Sequence, residues 1–273
     1  MIRVIHAEWV KLRTTSVPYV LTGIALLINA LLILVIFLHQ NMRGGDTVPH
    51  TTQQLNNLVG SGFQGYLFAL LLGVLCITTE FRHKTVTTSF LVTPFRPVFV
   101  VGKMVLAAIA GAVLAVIMLV ATLIGGGITL VARGGSFSDM LHQVPSVAPG
   151  MILVFALFAI LGVGVGSVLT NQVAAIVVVL GWFIILEGIL VSLVSGAAKW
   201  VPTGAALAAS NLTRGEGGNN SGSPIHLFNQ WQGTLLMLGY GIWEGAWIGI
   251  VAGLALVGVD ALMYWLAQPV KRR

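Results

Sequence analysis

MVLAAIAGAVLAVIMLVATLIGGGITLV, Met104–Val131, carries no Asp, Glu, Lys or Arg and is longer than the roughly 20 apolar residues that take a helix across a bilayer core. Five further stretches share this apolar character: Pro18–Leu38, Gly62–Thr79, Gly150–Leu169, Val173–Val194 and Thr234–Ala267. A chain crossing lipid must satisfy its backbone internally, so each stretch reads as a helix. The expectation is an all-α polytopic membrane protein with six transmembrane helices. With 57% hydrophobic and 8% charged residues, against roughly 25% charged in an ordinary soluble domain, no large soluble domain is left to build.

The single cysteine, Cys76, lies inside the second stretch, so no internal disulfide forms and the residue reads as a small buried apolar group. The opening does not read as a cleaved signal, because Glu8 and Trp9 interrupt its charged region and no small-residue cleavage pattern follows. Lys and Arg beside the spans are lopsided. Arg3, Lys11, Arg13, Arg82, Lys84, Arg96, Lys103, Lys271, Arg272 and Arg273 fall on one side, against Arg43, Arg133, Lys199 and Arg214 on the other. The positive-inside rule then predicts both termini in the cytoplasm. The net charge of +6 follows from this topology and from attraction to anionic lipid, and no nucleic-acid partner is expected.

Three segments between the spans carry further information. In Met1–Thr15, Ile2, Ile5, Trp9 and Leu12 fall on one helical face, with Arg3, Glu8, Lys11 and Arg13 around the rest. This predicts an amphipathic helix on the inner membrane surface; a topology-setting tail is the plainer reading. Glu80–Lys103, EFRHKTVTTSFLVTPFRPVFVVGK, is cytoplasmic in this scheme. Phe81, Thr85, Val86, Phe90 and Leu91 share a face, and Pro94 and Pro97 end the helix. Residues 80–97 then form a crosswise helix whose exposed edge, Glu80, Arg82, Lys84, Thr87 and Thr88, suits docking to another protein. Ser195–Gly233 lies outside. Its flanks, Trp200–Ala209 and His226–Trp231, are too apolar for a solvated loop and are expected to dip into the membrane as short re-entrant helices. Between them Gly215–Ser223 forms the tip.

Charges within the spans cost about 2.5–3.5 kcal/mol each at mid-bilayer, so each needs a reason. Glu187 is expected to face a cavity or partner helix, either on a substrate path or gate or in a structural hydrogen bond. Glu244, among Tyr240, Trp243 and Trp247, and Asp260, inside the basic tail, are further path or gate candidates. Close helix contacts need small residues four apart, which marks Gly241, Gly245, Gly249 and Gly253, and more briefly Gly162 and Gly166. Spacing allows either contact within one subunit or across a dimer.

Conventional active-site chemistry is thin. His6, His39, His50, His83, His142 and His226 show no metal-ligand spacing, so no metal site is expected. No G-x-S-x-G elbow appears. No phosphate loop is present either: at Gly102–Lys103, Met104 stands where Ser or Thr belongs and Pro97 where the first glycine belongs.

The order of parts resembles the membrane subunit of type-2 ATP-binding-cassette (ABC) exporters, the six-span permeases of bacteria. The resemblance covers the whole chain. It rests on HAEWVKLRTT at His6–Thr15, on TTEFRHKTVTTSFLVTPFRPVFVVGK at Thr78–Lys103, and on a long outer segment before the final span. It implies a bacterial plasma-membrane half-transporter that pairs with a second permease subunit, as a homo- or heterodimer. Each would seat a separate ATPase, which binds the ATP and Mg²⁺; this chain would hold no cofactor and catalyse no reaction. Within the coupling segment 80–97, Glu80–Thr93, with Glu80, Phe81, Arg82, Lys84, Thr87 and Thr88, would match the coupling helix, 1–15 the connecting helix, and the re-entrant helices of 195–233 the outer gate. The cargo class that fits so few charges is amphipathic, lipid-like or antibiotic-like. A secondary transporter would be expected to show internal repeats and more inward charges. A membrane scaffold or immunity protein that binds a toxic ligand without moving it is the third class.

Overall fold

The computed structural model describes residues 14–42, 52–82, 96–169, 171–193, 200–212 and 229–239. Every described element is helical. Helix α1 is Val17–Met42. Helix α2, Thr52–Val59, runs through a 3₁₀ segment, Gly60–Gly65, into α3, Tyr66–Arg82; α4 is Arg96–Val131 and α5 Phe137–Val168. A broken rod follows: α6, Gln172–Leu180, a π-helical segment, Gly181–Leu186, and α7, Glu187–Leu193. Helix α8 is Pro202–Ala209, and residues 230–239 are again helical.

Five of these runs are long and apolar enough to cross a membrane, Val17–Leu38, Gln54–Arg82, Val100–Val131, Phe137–Val168 and Gln172–Leu193, so among the described residues the chain is all-helical, with the apolar helices of a membrane protein. Of the sixth expected span, Thr234–Ala267, residues 234–239 are helical, in a helix already begun at 230. The rest of that span lies outside the described residues. So do residues 1–13 of the interfacial helix, 83–95 of the coupling segment and the 213–228 part of the outer segment.

Two helices begin ahead of the apolar stretches read as spans. Helix α4 starts at Arg96, not Met104, and α5 at Phe137, not Gly150. Hydropathy marks only the lipid-soluble part of a helix, and both continue beyond it. Pro97, expected to end the coupling segment, sits in the first turn of α4, where a missing N–H costs nothing. Pro145 and Pro149 lie inside α5, which a membrane helix tolerates when nearby polar groups supplement its backbone bonding.

Helix ends follow local rules. Gly134, at φ +81°, closes α4: its N–H reaches the Val131 carbonyl and the Gly135 N–H reaches Leu130, the paired bonds of a left-handed helix stop. Asn211, at φ 54°, ends α8 the same way through Ala208 and Leu207. Asn171 Oδ1 caps α6, accepting from the N–H groups of Val173 at 3.0 Å and Ala174 at 3.3 Å. Asn171→Ala is expected to cost about 1 kcal/mol, read as a lower unfolding midpoint of the detergent-solubilised protein.

Helices α3 and α5 form the centre. In each of these two spans 67% of the most apolar window is buried, against 17% for α1 and for the α6–α7 rod, so the latter two are the periphery. In lipid no water drives helices together, and close backbone approach does the work. Gly73 and Gly162 provide it: a Cβ on Gly162 would run into the Leu70 carbonyl and stand 2.8 Å from Val74 N, and one on Gly73 into the Ala159 carbonyl. A Cβ on Gly166 would meet Ile77 Cγ2 at 2.6 Å. The Gly162–Gly166 contact is therefore made within the chain, against α3. The ladder Gly241, Gly245, Gly249 and Gly253 lies outside the described residues.

Peripheral α1 attaches through a narrow stripe, Ala25, Asn29 and Ile33, one turn apart and buried. Asn29 Nδ2 donates to Thr122 Oγ1 of α4 at 3.1 Å. Beyond it, Arg133 donates to the Phe37 carbonyl at 2.7 Å and lies 4.9 Å from the centre of the Phe37 ring, so a cation–π contact ties the same two helices at their far ends.

Candidate functional site

Two polar centres stand at opposite ends of α3. The residues that anchor them, Tyr66 and Glu80, are separated along the helix by about 21 Å at 1.5 Å per residue.

At the Glu80 end, α3 and α4 are pinned by an ion pair. Lys103 Nζ lies 3.1 Å from Glu80 Oε1, and both side chains are 1% exposed. The ammonium also donates to the Cys76 carbonyl at 3.2 Å. Charges are almost never this deeply buried unless paired, and here the pair joins the last turn of α3 to the second turn of α4. In the next two positions, Phe81 packs half-buried on the core, and exposed Arg82 donates from Nη1 to Gln172 Oε1 of α6 at 3.2 Å.

The sequence reading put Glu80 on an exposed docking edge, and that placement is corrected. A carboxylate at the last turn of a membrane helix lowers its energy by turning towards the nearest cation, and the lysine on the adjacent helix supplies one. Arg82 keeps its expected exposure. Lys84, Thr87 and Thr88 lie outside the described residues.

At the Tyr66 end, the centre is built around α8. The extended Val201, which has no capping side chain, and Pro202 at the first helical position start this helix; its Gly204, Ala205, Ala206, Ala208 and Ala209 are buried. Its exposed N–H groups find a partner 16 residues back: Glu187 Oε1 accepts from Thr203 N at 2.9 Å and Oε2 from Thr203 Oγ1 at 2.8 Å. A buried carboxylate thus faces the positive end of a helix dipole. The same hydroxyl oxygen lies 3.3 Å from Tyr66 Oη.

The Tyr66 ring itself belongs to an aromatic cluster. Tyr66 sits 4.6 Å from Phe158, 5.2 Å from Phe63 and 6.4 Å from Phe183, and Phe158 and Phe183 are 5.4 Å apart. Phe183 belongs to the π-helical segment immediately before Glu187. Short π-helical segments recur at functional sites, and this one leads directly into the buried carboxylate. The other end of α8 is held too. Gln230 Nε2 donates to the Ala209 carbonyl at 3.3 Å and the Ser146 carbonyl at 3.1 Å. Gly150 and Gly233 press against α8, with the Ala209 carbonyl and the Ala208 Cβ where their own side chains would be.

Of the two readings open for Glu187, the geometry contains the hydrogen bonds to backbone and hydroxyl. Glu244 and Asp260 lie outside the described residues. Sequence reasoning missed Lys103, Thr203, Tyr66 and Gly73. Lys103 carried a usable signal, a second charge at the lip of the span next to Glu80. The Val-Pro-Thr start of α8 was another, because it announces uncapped N–H groups to which an intramembrane carboxylate is the natural complement. Compared with protein-family models, with curated proteins and with solved structures, the chain matches none of them.

Proposed function

We propose that this chain is the membrane-spanning permease subunit of an ABC exporter, moving an amphipathic, lipid-like or antibiotic-like compound while a separate ATPase subunit binds ATP and Mg²⁺ and does the hydrolysis. The observation that carries this reading is the buried Glu80–Lys103 pair. The most specific part of the resemblance is the stretch bracketed by this acid and this base, and their meeting gives that stretch a rigid base from which to present a docking surface. Force applied to it enters α3 and α4 together instead of prying them apart.

In this reading the Glu80 end faces the cytoplasm and the α8 end faces outwards. Helix α3, packed backbone to backbone on α5, is the stiff element between them, and α8 is the gate. A second permease subunit and lipid cover the apolar faces of α1 and of the α6–α7 rod, where Leu27, Leu31, Val177 and Ile184 are exposed.

The test is biochemical. Detergent-solubilised protein from its native membrane is expected to bring down a protein with a phosphate-loop motif, and inverted vesicles holding both are expected to accumulate cargo only with ATP. Arg82→Ala is expected to lower ATP hydrolysis linked to transport while the two subunits still assemble. Solute movement by the purified chain alone, with no ATPase present, would overturn the proposal.

A further inference from the structure

We propose that the π-helical segment Gly181–Leu186 is a register switch in the α6–α7 rod. The bonds of the Glu187 carboxylate hold one extra residue in this segment, and their release turns α7 by about 100°, lengthens the rod by about 1.5 Å and frees the start of α8. The switch deepens the permease reading, on which its part in opening the gate rests.

The bundle-facing side of the rod carries the argument. Ala175, Val179 and Glu187 are 0%, 3% and 3% exposed. At about 100° per residue an unbroken α-helix would place Glu187 about 120° round from Ala175, over the half-buried flank of Ile176 and Leu180. Instead the Glu187 N–H donates to the Trp182 carbonyl, five residues back and not four. A turn closed in this way holds one residue more than an α-turn, which takes back about 100° and leaves Glu187 within about 20° of Ala175. The π-turn is therefore what aims the carboxylate at α8, where it meets Thr203 N at 2.9 Å and Thr203 Oγ1 at 2.8 Å.

The rest of the segment does little to favour that turn. Longer than one turn, π-helix is rare in proteins. Trp182, Ile184, Ile185 and Leu186 are apolar and more than half exposed, so they suit lipid in either register, and within the segment Phe183 is the side chain that packs on the core. Glycines bracket the turn at 181 and 188. Among the described residues no atom lies within 4 Å of the side chain either would gain, and glycine is a poor helix former, so both ends yield readily. The bonds of Glu187, those to Thr203 among them, hold a register that the remainder of the rod would give up.

Spin labels read the register in the full chain in lipid nanodiscs. With Cys76→Ser as background, Ser192→Cys in α7 is paired in turn with Ser138→Cys in α5 and Leu38→Cys in α1, all exposed positions. Glu187→Leu releases everything the carboxylate holds and is expected to shift at least one separation by about 3 Å or more. Deletion of Ile185 removes the extra residue and leaves Glu187 aimed, so it is expected to keep the parent's separations and unfolding midpoint; adding Glu187→Leu to it is then expected to shift nothing. Deletion of Ile124, comparably exposed but in unbroken α4, is expected to lower the midpoint sharply. Unchanged separations in Glu187→Leu, or an Ile185 deletion as damaging as that of Ile124, would sink the switch. Should Glu187→Leu not fold, the two deletions decide alone. In vesicles with the ATPase, the Ile185 deletion is expected to assemble yet accumulate cargo about tenfold less or worse, and undiminished transport overturns the proposal. A failed pull-down with the label shift intact removes the permease reading and leaves the switch; an intact pull-down with no shift does the reverse.

Discussion

Lys103→Met is expected to destabilise the solubilised protein by about 3–5 kcal/mol, the usual cost of leaving one member of a buried ion pair behind. Glu80 would keep its carboxylate at 1% exposure without the Lys103 ammonium, and the Cys76 carbonyl would lose the bond from Lys103 Nζ. The double variant Glu80→Leu/Lys103→Met is expected to return to within about 1 kcal/mol of the parent, because well-packed apolar residues replace such pairs at little cost. Thermal unfolding followed by fluorescence-detected size exclusion reads both. A double variant as unstable as the single one would mean that the pair is not the unit that pins α3 to α4. The double variant also separates stability from coupling: in the permease reading it is expected to fold and bind its ATPase, yet move less cargo per ATP hydrolysed, since an apolar contact yields where a bonded pair does not.

Gly162→Val carries the second large effect, about 3 kcal/mol or more, by overpacking a contact that has no room. The obstacle is backbone, the Leu70 carbonyl and Val74 N of α3, and no rotamer change relieves it. Gly23→Ala is the matched control. Nothing lies within 4 Å of the side chain it would gain, so it is expected to be neutral or to stabilise α1 by up to about 1 kcal/mol through helix propensity. Equal unfolding midpoints for Gly162→Val and the parent would exclude the backbone contact. In the permease reading the consequence is mechanical. Two helices in backbone contact move as one body, so a displacement at the Glu80 end reaches Tyr66, and through it Thr203, without being absorbed in side-chain rearrangement.

The legible part of this molecule was the part written in apolar runs. Helix centres, their number among the described residues and the short helix in Trp200–Ala209 all follow from hydropathy and from proline placement. The unread part was relational. Glu80 looked like a surface group because its own segment is polar, and only the return of α4 beside α3 brings Lys103 to it. Glu187 was recognised as costly, yet its partner lies beyond a stretch of chain whose path the residues do not specify. The Gly162–Gly166 spacing announced a close contact and left its partner open, because four-residue spacing describes one face and not what lies against it.

By itself, then, the chain dictates that it is helical and lives in lipid: backbone groups have no other partners there, and the apolar runs are long enough to demand it. Which charge meets which, which glycine faces which helix, and whether a carboxylate stands empty or holds a helix end were decided by packing. Those outcomes depend on distances between segments far apart along the chain, and only the three-dimensional arrangement brings them within 3 Å or so, where hydrogen bonds act.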